Sequence, residues 1–414
     1  MPSLAAFRNI QIAMAHIVEF AVKGLAGYKG TFHRKLNPDV NIFFGENGSG
    51  KTTLLKILHA ALENDTDILR NLPFVEAEVK VYSRRDNMAF SRSIAQRREV
   101  DPADSVSDSL TASPRLGRLF RPSMPAWQWQ SVPPEPEPPF GPESGITRWK
   151  HGYLPISRLY RGLSPSGTLI GFASIGKTRT ELSEEELDQA FATSLQKLWS
   201  DYYADISTAV QQIQQEGLAA ILQTILLPSD SEAKSTAEDD VHEAYRRVAD
   251  FLTRQPQFSH VLGTETQFEK AYRTNNQLRS VVQHIENVEE SLKRENAPQE
   301  QLRSLLNSLF SNHKQVVFDG KQIRILSEEN TTINLPLLSS GEKQLIVLAL
   351  EALITGYHVL LIDEPELSMH VDWQRRLVSS LMTLNPNMQL IMTTHSPDIM
   401  AELPDSQIFR IWPD

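Results

Sequence analysis

Three short runs dominate the hydrophobic pattern of this chain: Val40-Asn41-Ile42-Phe43-Phe44, His358-Val359-Leu360-Leu361-Ile362 and Gln389-Leu390-Ile391-Met392-Thr393-Thr394. Each is apolar almost throughout and too short for a helix, the pattern of parallel strands buried on both faces. Residues 53–62 and 344–353 instead space their apolar side chains as helices do. Strands alternating with helices predict an α/β fold, whose ligands bind at the carboxyl ends of the strands. Residues 183–312 read as mostly helical, opened by Ser183 as a cap with Glu184, Glu185 and Glu186 in the first turn. Within them Leu278, Val281, Val282, Ile285, Val288 and Leu292 recur at three- and four-residue intervals, and Leu302, Leu305, Leu306 and Leu309 repeat the pattern after Asn296-Ala297-Pro298. That interruption predicts a helical hairpin. Asp319-Gly320 between two β-rich runs predicts a two-residue hairpin turn.

Composition narrows the picture. A length of 414 residues suffices for a full core plus an inserted lobe. Without cysteine there is neither a disulfide nor a thiolate zinc site, which fits a cytoplasmic protein. No apolar run approaches a membrane span, so no membrane partner is expected, and Met14 is a second candidate start. The net charge of -10 disfavours tight nonspecific nucleic-acid binding through the overall field, while leaving room for a local patch. From 101 to 150 the chain turns rich in Ser, Pro and Gly, and Pro133-Pro134-Glu135-Pro136-Glu137-Pro138-Pro139 favours an extended segment. Arg115, Arg118 and Arg121 beside Trp127 and Trp129 form either a docking surface or a loop folded back on its domain. The expected divisions are thus 1–100, 101–150 as a Pro-rich loop, 151–182 as a linking segment, a helical insertion over 183–312, and 313–414.

The candidate chemistry sits at the ends of the apolar runs. After the first comes Gly45-Glu46-Asn47-Gly48-Ser49-Gly50-Lys51-Thr52-Thr53. Glycines there let backbone N–H groups curl around phosphates, Lys51 supplies a point charge, and the Thr52 hydroxyl suits Mg²⁺. The helix that follows adds its N-terminal dipole. After the second run stand Asp363 and Glu364, neighbours that a strand directs to opposite sides. Asp363 is assigned to hydrated Mg²⁺ and Glu364 to the attacking water, with Pro365 ending the strand. His395 follows the third run, and Ser396-Pro397-Asp398 opens a helix.

Leu338-Ser339-Ser340-Gly341-Glu342 lies about twenty residues before the acidic strand and starts a helix. It resembles the signature motif of ABC-superfamily ATPases, in the form typical of SMC-like and overcoming-lysogenization-defect proteins. The resemblance covers roughly 17–83 and 314 to the C-terminus, with a divergent middle. It implies an ABC-type, SMC-like P-loop ATPase head with a mixed sheet and an inserted helical lobe, a shortened counterpart of the SMC arm. ATP and Mg²⁺ are the implied ligands. Ser339, Ser340, Gly341 and Glu342 are implied to meet the γ-phosphate of a nucleotide held by an opposite subunit, and His395 takes the place of the family's switch histidine. Two or more copies would then pair head to tail around ATP. Leu367-Ser368-Met369-His370 resembles the loop that meets the same element across the dimer. Lys23 or Tyr28 is a candidate for contact with the base, with a solvated turn as the alternative. The family's lateral glutamine has no convincing counterpart; Gln96 and the segment 153–158 are the nearest.

The Thr394-His395-Ser396-Pro397 sequence is similar to that of defence-associated ATPases. The chain stops soon after 408–412, whereas overcoming-lysogenization-defect proteins continue into a Toprim nuclease, so a separate effector is implied. The resemblance is strongest to the AriA-type ATPases of PARIS antiphage systems, which hold a Toprim-type, AriB-like effector nuclease and release it when a phage-encoded trigger protein is sensed. Septu-type ATPases with an HNH nuclease are the alternative, followed by an SMC-like DNA-repair ATPase acting directly on DNA.

Overall fold

The computed structural model describes residues 15–69, 71–83, 87–95, 130–132, 149–155, 183–226, 241–253, 263–310, 314–356 and 358–412. Gln96, the arginine and tryptophan cluster of 115–129, the proline run of 133–139 and residues 156–158 fall outside them. The three apolar runs become β3 (Val40–Phe44), β11 (Val359–Asp363) and β12 (Gln389–Thr394). With β7 (His151–Leu154) and β13 (Ile408–Arg410) they form a five-stranded sheet in the order β13-β3-β12-β11-β7. Every pairing in it is parallel. All five residues of β11 and all six of β12 are buried, which is why their sequences lack the alternation of a half-exposed strand.

A second sheet, entirely antiparallel, carries β1 (Ala15–Lys23), β2 (Thr31–Lys35), β4 (Glu76–Ser83), β5 (Met88–Ala95) and β6 (Gln130–Val132) in the order β2-β1-β4-β5-β6. The expected mixed sheet is therefore divided into a parallel layer and an antiparallel one. Helix α1 (Lys51–Glu63) packs with both, sharing one core with Phe20, Phe43, Val79, Leu361 and Ile391. Buried Gln389 stitches β12 to β1: its Oε1 accepts from the Ile17 N–H at 2.8 Å and its Nε2 donates to the Ile17 carbonyl at 2.8 Å. Arg92, fully buried on β5, donates to the Ala61 carbonyl in the last turn of α1 and lies over the Trp149 ring. A cation at a helix C-terminus satisfies an orphan carbonyl and opposes the dipole.

The described residues pack as two units. One lies within Met1–Leu195, Ser308–Gln315 and Ile325–Asp414, the other within Gln196–Asn307 and Val316–Arg324. The second is built on α2 (Glu184–Leu226) from Gln196 onward, α3 (Val241–Thr253), α4 (Glu265–Thr274) and α5 (Asn276–Leu309) as far as Asn307. Ile221, Val248, Phe268, Tyr272, Val282 and Ile285 form its apolar core. Trp199 anchors α2 there, its Nε1 donating to the Gly320 carbonyl at 2.9 Å and its ring against Phe318. Gly320, in the left-handed region at φ 55°, turns the chain between β8 (Lys314–Asp319) and β9 (Gln322–Ser327). The turn thus occupies 320–321, one residue later than expected.

The expected hairpin at 296–298 is a correction: α5 is one continuous helix with Pro298 inside it. The heptad rows explain this. Leu278, Ile285, Leu292, Gln299 and Leu306 follow one another at intervals of seven, as do Val281, Val288, Glu295, Leu302 and Leu309. The register therefore continues past the proline, where Glu295 and Gln299 occupy the two rows, and burial of Ile285 and Val288 before it and Leu302 and Leu306 after it outweighs the lost ladder bond.

Candidate functional site

The phosphate-loop sequence runs from the end of β3 into α1. Gly48 at φ 86° and Gly50 at φ 99° take left-handed conformations that a side chain resists. Gly50 is the N-cap of α1 and Lys51 its first residue. Lys51 is buried, and its Nζ turns back over the loop to donate to the carbonyls of Gly45 at 2.8 Å and Glu46 at 3.0 Å. Ser49 Oγ is buried against Gly45 and has no hydrogen-bond partner among the described residues, a polar atom suited to a phosphate oxygen.

Asp363 ends β11, fully buried, and accepts a hydrogen bond of 2.5 Å from the Thr393 hydroxyl of β12. The chain then turns at Glu364, whose φ of 43° is unusual for a residue with a side chain. Its N–H still bonds the Thr393 carbonyl at 3.0 Å, so the sheet ladder extends one residue beyond the strand. The strand thus ends at Asp363 through this left-handed turn, before Pro365 is reached. The turn brings Glu364 Oε1 within 3.4 Å of Lys51 Nζ and 3.8 Å of His395 Nδ1. Lys51, Glu364 and His395, which the chain separates widely, therefore meet at the carboxyl ends of β3, β11 and β12. Thr52 and Thr53 stand in the first turn of α1 beside them.

Oxygen donors alone bear on a metal here. The Thr52 hydroxyl and the Asp363 carboxylate are hard ligands of the kind Mg²⁺ takes, together with waters and substrate phosphates, so the residues fit that ion. Among the described residues no cluster of three or more His, Cys, Asp or Glu could hold a metal by protein ligands alone.

The signature turn opens α6 (Ser340–Thr355). Ser339 is its N-cap in a full capping box: its Oγ accepts from the Glu342 N–H, and its own N–H donates to Glu342 Oε2 at 2.8 Å. Burial raises the Glu342 pKa, but Lys314 Nζ at 2.7 Å and the Ser339 bonds outweigh it and hold the carboxyl below its ordinary value. Glu342 is thus fixed in the turn as a structural anion, while Ser339 and Ser340 stay exposed. Gly341 is obligatory on steric grounds, since a Cβ would lie 2.4 Å from the Ser368 carbonyl oxygen. Gln344, one turn on, donates to the carbonyl of Pro365 and so ties the signature helix to the turn after Glu364.

Two contributors escape sequence reasoning. Thr393 holds Asp363 and Glu364 together, and Glu366, buried in the acid turn, accepts from the Thr394 hydroxyl and the His395 N–H, both at 2.7 Å. The signal was present in both cases: a third acid in Asp363-Glu364-Pro365-Glu366, and two hydroxyls closing an otherwise apolar strand. Tyr28 is half-exposed near the phosphate loop and stacks on Trp412, with ring centroids 5.0 Å apart.

A family described as "AAA domain, putative AbiEii toxin, Type IV TA system" matches residues 168–401. The "Retron Vc95 probable ATPase" of Vibrio cholerae serotype O1 biovar El Tor is 22% identical over 97% of this chain and 73% of that protein. The "Retron Ec83 probable ATPase" of Escherichia coli is 31% identical over 21% of this chain and 18% of its own length. Among solved structures, the Smc head domain bound to the C-terminal domain of ScpA, from Pyrococcus furiosus, is 13% identical, with 94% of this chain and 91% of that one covered at a TM-score of 0.38. The SMC head domain from Thermotoga maritima is 12% identical, with 93% and 91% covered at 0.38. Among the described residues no helix is long and apolar enough to cross a membrane.

Proposed function

On the footing that this chain belongs to the AAA-domain family that matches more than half of it, we propose that it is an ATP-hydrolysing subunit of a bacterial defence system, switching a separate effector through nucleotide-driven pairing of two copies. The observation that carries the reading is the convergence of Lys51, Glu364 and His395 at the strand ends. Triphosphate entering the loop competes with Glu364 for Lys51. The released carboxylate then orients and deprotonates the attacking water, while Lys51 and His395 stabilise charge on the transferring phosphoryl group. Mg²⁺ held by Thr52 and Asp363 would neutralise charge on the β- and γ-phosphates.

The signature turn supports a shared site. Ser339 and Ser340 are exposed at the start of α6, with exposed Leu337 just before them in the chain and exposed Leu367 next to Ser368, whose carbonyl packs on Gly341. Apolar side chains left in water beside an anion-binding helix start suit a twofold partner that brings its own nucleotide. Under this reading Ser339, Ser340 and Gly341 complete the site of the opposite copy.

The effector is proposed to be a separate nuclease, Toprim-type as in PARIS systems, released on sensing a phage protein. The retron-named relatives favour a broader second reading, an accessory ATPase paired with an effector of another class, the HNH nuclease of Septu systems included. Copurification of the chain with the product of the adjoining reading frame distinguishes them. The core proposal is tested by light scattering with ATP and Mg²⁺. Glu364→Gln should bind ATP without turning it over and run as a dimer, while Lys51→Ala should stay a monomer and fail to retain nucleotide; normal turnover by either variant overturns the assignment.

A further inference from the structure

Glu366 has no part in the chemistry above, yet it is buried beside the assigned base and bonded to the loop that carries His395. Its side chain is 4% exposed. Oε1 accepts from the Thr394 hydroxyl and from the His395 N–H, and lies 3.0 Å from His395 Nδ1. The same ring nitrogen stands 3.8 Å from Glu364 Oε1. One imidazole nitrogen therefore lies between two carboxylates, the assigned base and Glu366. Gln374 braces this arrangement, donating to the Met369 carbonyl at 2.8 Å and accepting from the Ser396 hydroxyl at 2.7 Å. The acid turn and the loop after β12 are thereby joined around His395.

We propose that Glu366 is the positioning residue for His395: it claims Nδ1 and the backbone N–H, keeps the ring from pairing with Glu364, and leaves Nε2 to meet the nucleotide. This rests on the reading of the site as an ATPase. The electrostatics are direct. A carboxylate oxygen close to Nδ1 favours a proton there and repels a lone pair, which sets the tautomer. Were the histidine to swing to Glu364 instead, the base would be paired with a cation at the moment it must take a proton from water. Glu366 separates the two functions by holding Nδ1 at 3.0 Å, closer than Glu364 stands to the same atom at 3.8 Å. Asp363 is bonded to Thr393, and Glu364 lies nearer to Lys51 than to the ring, which leaves Glu366 as the nearest carboxylate of the turn to Nδ1.

Glu366→Gln isolates the charge, since the amide oxygen still accepts from Thr394 and the His395 N–H. In that variant kcat for ATP should fall about tenfold to a hundredfold, with KM and nucleotide affinity held within about twofold. In a His395→Ala background the same change should cost less than about twofold, because its effect runs through the ring. Losses that multiply undiminished in the double variant, or a fall in affinity equal to the fall in turnover, overturn the proposal. Nitrogen-15 spectra of the histidines, with His395 assigned by its loss in His395→Gln, provide a readout that needs no turnover. The unsubstituted protein should show His395 protonated at Nδ1, and Glu366→Gln should move the proton population toward Nε2. A resting ring protonated at Nε2 alone overturns the inference even if hydrolysis is normal; if the spectra agree while the protein hydrolyses no ATP, the ATPase reading fails and the positioning of His395 by Glu366 stands.

Discussion

Single residues in this molecule are set by what burial does to charge, and the effect is plainest away from the phosphate loop. His59 on α1 and His151 on β7 bond each other at 2.7 Å inside the core, and His358 is buried just before β11. Burial pushes His59 down to about 3, with His151 adding repulsion, and it pushes His151 and His358 down to about 4. Lys150 and His151 add to the effect at His358. Glu351 on α6 is buried without a compensating charge and is pushed up to about 7. The signs oppose. A histidine whose folded value is depressed keeps its full contribution above about 6.5 and loses it as pH falls toward the folded value, because the unfolded chain takes up a proton that the core refuses. Glu351, with its folded value raised, contributes fully at low pH and loses that as pH rises through about 7. Between about pH 6.5 and 4.5 three histidines work against one carboxyl, so stability should fall on acidification by about 1.4 kcal/mol per pH unit for each net proton. Thermal midpoints measured across that window should drop, and Glu351→Gln should drop more steeply. A flat profile would mean that the histidines are already charged in the folded core.

At the level of elements, α2 and α5 meet through a close approach that only glycine allows. A Cβ on Gly217 would lie 2.1 Å from Val288 Cγ2, inside any tolerable contact. Alanine ordinarily stabilises a helix over glycine by about 1 kcal/mol, whereas forcing a methyl into a packed seam costs about 1–3 kcal/mol. Valine is stiff about its first torsion and cannot swing clear, so the second term should win. Gly217→Ala is expected to lower the unfolding free energy of the protein by about 1 kcal/mol or more, and adding Val288→Ala should recover part of the loss by making room. Equal stability of Gly217→Ala and the unsubstituted chain in denaturant titration would show that the helices slide apart at no cost. The same elements mark where sequence reasoning succeeds and fails. Strands β3, β11 and β12 were legible because burial on both faces leaves an unbroken apolar run, and the helix after Ser339 because its cap, Ser339 with Glu342, is local in sequence. Residues 296–298 were misread because a proline is a local signal, while the heptad register that overrides it spans the entire helix. Glu366 and Thr393 were visible as a third acid and a strand-end hydroxyl, but their roles depend on the left-handed turn at Glu364, which sets one strand end against the next and cannot be read from spacing.

For the molecule as a whole, the question is whether one chain can act alone, and the separation of contacts within a protomer bears on it. Lys51 is engaged by the carbonyls of its own loop and by Glu364, whereas Glu342 is engaged by Ser339 and Lys314. The phosphate loop and the signature turn thus have different partners, as expected if each is finished by another copy. A twofold assembly makes this testable by mixing two dead variants. Lys51→Ala has a ruined phosphate loop and an intact signature; Ser340→Glu has the reverse, a carboxylate set against the incoming γ-phosphate. In a mixed dimer one site combines both defects and the other combines neither, because the intact loop of one chain faces the intact signature of the other. Because Lys51→Ala alone stays a monomer and Ser340→Glu repels its partner's nucleotide, ATP can close only the mixed pair, which has one of its two sites whole, so turnover should rise toward about half of the unsubstituted level from two near-inactive preparations. If each chain carried its own complete site, no mixture could recover activity, and the exposed serines of the signature turn would need another explanation.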